Sequence, residues 1–245
     1  MIKVITIDFW NTLFDSSGGN ERNALRQKAL LQEINNYGRN ISPEEFDKAL
    51  RASWEYFNKI WRQEMRTPSV QDSVAFFWKY LELPTNPEAI ERIADFFANS
   101  VLIHPPKLID GVADILPILA SNYKLGIISD TGFSPGIVLR KLLEQNNILH
   151  FFDSFSFSDE TGYSKPHPEA YRKVLSELGS DTSETLHIGD IEATDIIGAK
   201  QLGMRAIRFA GDSTGYFANE SANPTIADAI VYSWDEIPEA IVNIC

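Results

Sequence analysis

Short apolar runs rich in β-branched residues recur along the chain, at 3–7, 124–129, 151–157, 185–188, 204–209 and 229–232. Each has the length and composition of a buried strand. Most end abruptly on polar residues: Asp8, Ser129-Asp130, Ser158-Asp159-Glu160 and Gly189-Asp190. Helical patterns separate the later runs. Ser134-Pro135 has the form of a cap and first turn leading into 137–145, and 168–178 and 193–202 stop at Gly179 and Gly203. Strands alternating with helices predict a parallel sheet with right-handed crossovers, an α/β Rossmann-like core. In such a sheet, function collects at the carboxyl ends of the strands, where these polar residues lie.

The alternation fails over about 19–100, where only helical patterns occur. Ser42-Pro43-Glu44-Glu45 reads as a capping box with proline in the first turn, followed by Phe46, Leu50, Trp54, Phe57 and Trp61 at helical spacing. Val70, Val74, Phe77 and Leu81 form a second stripe. Asn86-Pro87 opens a third, with Ile90, Ile93, Phe97 and Val101, and 21–37 is a fourth helix ending at Gly38. We read residues 17–104 as an inserted α-helical domain and residues 1–16 and 105–245 as the α/β core, with His104-Pro105-Pro106 as a stiff return. The aromatic stripes read first as bundle core; Trp54, Trp61 and Trp78 are the ones that could instead face a substrate. Residues 211–224 read as a long irregular loop.

Composition bounds the partners. The chain has 245 residues, a formal net charge of −12 and a pI near 4.8. That balance argues against a nucleic-acid or anionic-membrane binder, which needs a basic footprint. It leaves room for a locally positive site. No segment is long and apolar enough to span a bilayer, residues 1–14 lack a signal-peptide pattern, and the single cysteine is Cys245. The expected setting is cytoplasmic.

The strand-end residues carry the candidate chemistry. Asp8 opens Asp8-Phe9-Trp10-Asn11-Thr12-Leu13-Phe14-Asp15; a carboxylate there is a nucleophile, a helix cap or a solvated loop residue. Ser129 can bond a phosphoryl oxygen or cap the next turn. Lys165, in Gly162-Tyr163-Ser164-Lys165-Pro166-His167-Pro168, sits just before a helix, where a cation is disfavoured. A positive group near the strand ends can neutralise a carboxylate and an anionic substrate. His167 reads as a surface or capping residue. Asp190 and Asp195, in Gly189-Asp190-Ile191-Glu192-Ala193-Thr194-Asp195, are a carboxylate pair suited to a hard cation such as Mg²⁺; Asp195 is equally well placed as a helix N-terminal acid.

The order Asp, Ser, Lys-Pro, then Gly-Asp with a second Asp five residues on resembles the haloacid dehalogenase (HAD) superfamily across nearly the whole chain, with an insert similar to that family's C1 cap. The resemblance implies a hydrolase, and specifically a Mg²⁺-dependent phosphatase acting on a small phosphorylated metabolite. Asp8 would be the covalent nucleophile, giving an aspartyl-phosphate. Ser129 and Lys165 would orient and neutralise the transferring group. Mg²⁺ would be held by the Asp8 carboxylate, the Trp10 carbonyl and the Asp190 carboxylate, with Asp195 supporting directly or through hydrogen bonds. Specificity would rest on insert side chains such as Arg22, Arg62, Arg66 and the tryptophans.

One position departs from the pattern. HAD phosphatases place an acid–base Asp two residues after the nucleophile, and here that residue is Trp10, whose indole cannot do acid–base work. Asn11, where glycine is common, departs less. Two alternatives follow: a 2-haloacid dehalogenase-like hydrolase, which has an aromatic residue at this position, and a catalytically weak protein that binds a phosphorylated ligand. The intact Asp190 and Asp195 favour the phosphatase.

Overall fold

A computed structural model describes residues 1–212, 214 and 224–244. Strand β1 (Val4–Ile7) is buried along its whole length, as befits the middle of a sheet covered on both faces. Around it lie β2 (Lys124–Ser129), β3 (Ser154–Phe157), β4 (Thr185–Gly189), β5 (Arg205–Phe209) and β6 (Ala229–Val231), all parallel, in the order β3-β2-β1-β4-β5-β6. The expected Rossmann-like α/β core is present. The chain winds outward from β1 to β3, crosses back, and winds outward the other way from β4. The reversal falls between β1 and β4, and a crevice opens there at the carboxyl ends of the strands. Asp8 follows β1 and Asp190 follows β4, so topology alone brings both to that crevice.

Four helices, α1 (Gly19–Asn36), α2 (Pro43–Glu64), α3 (Val70–Tyr80) and α4 (Pro87–Ile103), separate β1 from the rest of the core. Leu30, Ile34, Phe46, Phe77, Trp78 and Phe97 belong to an apolar cluster of their own, distinct from the one around the sheet. Their starts follow the sequence signals. The Ser42 side chain accepts from Glu45 N–H at 3.2 Å with Pro43 in the first turn, and Asn86 accepts from Ala89 N–H at 3.1 Å. The Ser42 box is only half formed, because Glu45 pairs with Arg39 at 3.1 Å instead. A complete box occurs at Ser69 and Asp72.

Entry to and return from these helices run side by side. Asp15 N–H donates to the Lys107 carbonyl at 2.9 Å, Lys107 N–H donates to Asp15 Oδ1 at 2.9 Å, and Arg22 Nη1 donates to the carbonyls of Ser17 at 2.8 Å and His104 at 2.7 Å. Gly18 lies between them with φ 71°, and a Cβ there would stand 2.8 Å from the His104 oxygen. Both the left-handed backbone and the close approach require glycine. Gly18→Ala is expected to cost about 1–2 kcal/mol, read as a lower urea midpoint with unchanged slope.

Helix α5 (Val112–Asn122) follows, where the sequence reading assigns no element; Pro117 inside it breaks the helical pattern. Val112, Leu116 and Leu119 are buried and hold it to the core. Then come α6 (Gly136–Gln145), α7 (Ser158–Thr161), α8 (Pro168–Leu178), α9 (Ile197–Gln201) and α10 (Ile237–Ile244), with a π-helical turn at Glu192–Ile196 leading into α9. Ser134 does not cap α6. The Asp159 carboxylate accepts Gly136 N–H instead, at 3.0 and 3.3 Å. The run 151–157 is a strand only from Ser154, since Leu149–Phe151 is a 3-10 turn. Most of the expected loop 211–224, and Cys245, lie outside the described residues. No helix among the described residues is long and apolar enough to cross a membrane.

Candidate active site

Asp8 leaves β1 with its N–H donated to the Ile188 carbonyl at 2.9 Å, a bond that continues the β1–β4 ladder past the end of the strand. The residue is 5% exposed. Lys165, 3% exposed, donates from Nζ to Asp8 Oδ1 and to Asp195 Oδ1, the second bond at 2.6 Å. Its backbone N–H donates to Asp130 Oδ1 at 2.8 Å, and the preceding Ser164 N–H donates to the Met65 carbonyl at 2.8 Å. His167 caps α8, its Nδ1 accepting Glu169 N–H at 3.2 Å.

Asp195 is saturated by protein donors. Oδ1 takes Lys165 Nζ and His187 Nε2, the latter at 3.0 Å; Oδ2 takes Ile191 N–H at 3.1 Å and the Thr194 hydroxyl at 3.2 Å. The carboxylate packs so tightly on the backbone that a Cβ on Gly189 would lie 2.4 Å from Asp195 Cγ, which accounts for the glycine before Asp190. The buried His187 ring continues the chain of bonds to Thr6 Oγ1 at 2.9 Å through Nδ1. Burial pulls the His187 pKa down. The neutral ring then carries its proton on Nε2 toward Asp195 and accepts from Thr6.

Asp190 is partly exposed to the crevice and accepts from Asn11 Nδ2 at 3.3 Å. Asn11 holds φ 56°, which Asn tolerates better than most residues, and its Oδ1 accepts the Ser16 hydroxyl at 2.6 Å. Ser129, 1% exposed, ends β2, and its Oγ has no hydrogen-bond partner among the described residues.

These side chains surround a cavity of about 260 Å³. Asp8, Trp10, Lys165, Asp190 and Asp195 line it from the sheet, and Trp54, Phe57 and Trp61 of α2 line it from the helices; Asp130 is among the lining residues and the preceding Ser129 is not. Trp78, by contrast, is buried in the helical cluster. The two layers are tied by Trp61 Nε1, which donates to Asp130 Oδ2 at 2.7 Å.

The charges are unbalanced. Burial raises Asp8 to about 7, with Lys165 opposing and Asp195 adding to the rise. Burial, then the charges of Asp8 and Asp195, push Asp190 well above the carboxylate range. Burial likewise lifts Asp130 to about 6, against the pull of Lys165 and the Trp61 bond. Burial also disfavours ionised Asp195, but Lys165 and His187 outweigh it and hold the group below its ordinary value. Burial pulls Lys165 down, yet Asp195, Asp8 and Asp130 prevail and raise it. Four carboxylates thus converge on one ammonium, an arrangement that a cation would relieve. Among the described residues no three His, Cys, Asp or Glu side chains form a ready-made ligand set, so a metal here would also draw on a backbone carbonyl and water.

Five of the six positions singled out in the sequence, Asp8, Trp10, Lys165, Asp190 and Asp195, line this cavity, and Ser129 does not; Asn11, Asp130 and His187 are further participants that the sequence reading did not place. Asp130 directly follows Ser129, and His187 interrupts an apolar strand, which are the signals each carried.

A family model for haloacid dehalogenase-like hydrolases matches residues 2–203. The glyceraldehyde 3-phosphate phosphatase of Pyrococcus abyssi is 29% identical over 209 residues, covering 85% of this chain and 82% of its own. A 2-haloacid dehalogenase from Pseudomonas syringae superposes with a TM-score of 0.73 at 20% identity, over 100% of both chains. The HAD-hydrolase YfnB from Bacillus subtilis, solved bound to magnesium and showing interdomain movement, gives 0.62 at 17% identity over 99% of both.

Proposed function

The chain belongs to the haloacid dehalogenase-like hydrolase family, and from that premise we propose that it is a Mg²⁺-dependent phosphohydrolase acting on a small phosphorylated metabolite. The observation that carries the reading is Asp8, held through one oxygen by a buried lysine at the switch point of the sheet. Asp8 Oδ2 has no protein hydrogen bond among the described residues and is the attacking atom. It forms a bond to phosphorus as the ester P–O bond breaks, giving an aspartyl-phosphate. Water then attacks that phosphorus, releasing phosphate and restoring Asp8. Lys165 neutralises the phosphoryl oxygens; the Ser129 hydroxyl is unpartnered but buried outside the cavity lining, so its role as a donor to one of those oxygens rests on the order of the motifs and not on the cavity.

The Asp8 carboxylate, the Trp10 carbonyl and the Asp190 carboxylate would hold Mg²⁺, which supplies charge neutralisation of the transferring group. Asp195, its oxygens taken by four donors, acts by positioning Lys165. Helices α1 to α4, residues 17–104, form a cap that excludes water from the cavity, hinged near 16–20 and 104–107.

Trp10 cannot protonate a leaving group, and general acid help is worth about 10²–10⁴-fold. Esters with good leaving groups lose least. Hydrolysis of p-nitrophenyl phosphate and acetyl phosphate with Mg²⁺, stopped by EDTA, tests the reading; faster turnover of acetyl phosphate than of alkyl phosphates is expected. The aromatic Trp10 favours dehalogenation as the second reading. Halide release from 2-haloacids without metal, together with no phosphate release, would establish it.

Metal binding has an expected pH signature. Asp8 and Asp190 hold folded-state pKa values above their unfolded ones. For Asp8 the metal-free fold therefore loses stability as pH rises from about 4 to about 7, and Asp190 acts in the same direction. Mg²⁺ competes with those protons, so the Tm increase it produces is expected to be larger at pH 8 than at pH 5.5. An equal increase at both pH values would count against carboxylate ligation.

A further inference from the structure

Beside the catalytic cavity lies a second one, of about 210 Å³, lined by Trp10, Arg22, Arg26, Gly132, Phe133 and Ser134. Trp10 and Gly132 belong to both linings, so the two spaces share a wall. Arg22 is 7% exposed and Arg26 9%. Neither makes an ion pair with a carboxylate among the described residues.

Buried guanidinium groups are ordinarily paired, because taking an uncompensated charge out of water is costly. Here two occupy one small space. Arg22 spends Nη1 on the Ser17 and His104 carbonyls, leaving Nε and Nη2 without a bond among the described residues. Arg26 donates from Nε to Ser100 Oγ at 2.9 Å and makes only long contacts, both 3.4 Å, from Nη1 to Asn23 and from Nη2 to the Phe97 carbonyl. Its guanidinium lies 4.9 Å from the centre of the Phe133 ring. Burial, with the neighbouring Arg22 charge adding to it, lowers Arg26 to about 10; burial also lowers Arg22, against the opposing charges of Asp15 and Glu21, and both remain cationic at neutral pH.

We propose that this pocket is a second anion subsite, in which Arg22 and Arg26 bind a carboxylate at the far end of the substrate while its phosphoryl group faces Asp8. The substrate class is then a phosphorylated carboxylic acid. This rests on the phosphohydrolase reading for the phosphoryl end only. The planar fork of arginine suits a carboxylate, and Ser134 adds a hydroxyl. Trp10 acquires a role that its missing acid–base chemistry leaves open: it is the partition along which the two ends of the substrate are set apart.

The test is calorimetric titration of the full chain, with Mg²⁺ present. The probes are phosphonoacetate, 3-phosphonopropionate and 4-phosphonobutyrate, each against the alkylphosphonate of equal length. At least one carboxylated member is expected to bind about tenfold or more tightly than its alkyl counterpart, the scale of one charge-assisted contact. Arg26→Gln is expected to reduce that ratio to about threefold or less, and Arg26→Lys, which keeps the charge without the fork, to leave an intermediate ratio. Equal affinities along the whole series in the unmodified protein would overturn the proposal, as would a ratio undiminished in both Arg26→Gln and Arg22→Gln. The unmodified protein alone can refute it, so a poorly folded variant does not shield it. A carboxylate preference in a protein that hydrolyses no phosphate ester would remove the hydrolase reading and keep the subsite. Turnover without any preference would do the reverse.

Discussion

Asp8→Asn is expected to lower kcat for p-nitrophenyl phosphate by about 10⁴-fold or more, the scale on which removal of a covalent nucleophile acts, while making the metal-free protein more stable at pH 8. The two effects have one cause. Asp8 sits buried among Asp130, Asp190 and Asp195 with a single lysine to neutralise them, and its pKa is raised to about 7. At pH 8 the ionised group is therefore a cost to the fold that the unfolded chain does not bear. That cost fades as pH falls through 7 toward the ordinary carboxylate value. Asparagine is nearly the same shape and carries no charge, and Lys165 retains Asp195 as its partner. The gain in Tm should be about 2–4 °C for each kcal/mol relieved in a chain of this size, largest at pH 8 and small at pH 5. The thermal effect of Mg²⁺ should shrink in the same variant, because one of the proposed ligands is gone. Substantial residual turnover in Asp8→Asn would falsify the assignment of the nucleophile; a fall in metal-free Tm at pH 8 would show that the charge imbalance is not what limits stability at the site.

What could be read from the sequence follows from how local each signal is. Asp8, Asp190 and Lys165 each end or precede an element whose apolar pattern is strong, and a parallel sheet brings such ends together whatever the loops do. Caps at Ser42 and Asn86 were legible for the same reason, since donor and acceptor are three residues apart. Contacts between distant segments carry no such pattern. Nothing in the sequence marks Asp159 as the group that satisfies Gly136, or Asp130 as the acceptor of both Lys165 N–H and Trp61 Nε1. Helix α5 escaped because Pro117 masks four buried apolar residues that otherwise follow helical spacing. The aromatic stripe of α2 was legible as a stripe, yet its division between cavity and bundle depends on where α3 and α4 pack. Trp54 and Trp61 line the cavity, whereas Trp78 of α3 is enclosed.

Lys165→Met is expected to move stability in the opposite direction from Asp8→Asn, although the two side chains touch. Methionine fills most of the lysine volume but leaves Asp8 and Asp195 facing each other with no cation between them. Removing one member of a buried charge cluster costs about 3–5 kcal/mol, because the charges left behind are no longer compensated. With the ammonium gone, Asp8 and Asp195 take up protons more readily in the folded state than in the unfolded chain. The loss should therefore be greatest at pH 8 and diminish as pH is lowered toward 5. Activity falls too, by about 10²–10³-fold, since the phosphoryl oxygens lose a fixed positive partner. Urea unfolding of both variants and the unmodified protein at pH 8 and pH 5 measures the comparison directly. A Lys165→Met protein as stable as the parent at pH 8, or a loss that does not change with pH, would mean that the carboxylates are already neutral in the metal-free fold. The proposed Mg²⁺ would then be needed only for chemistry, and folding would proceed without it.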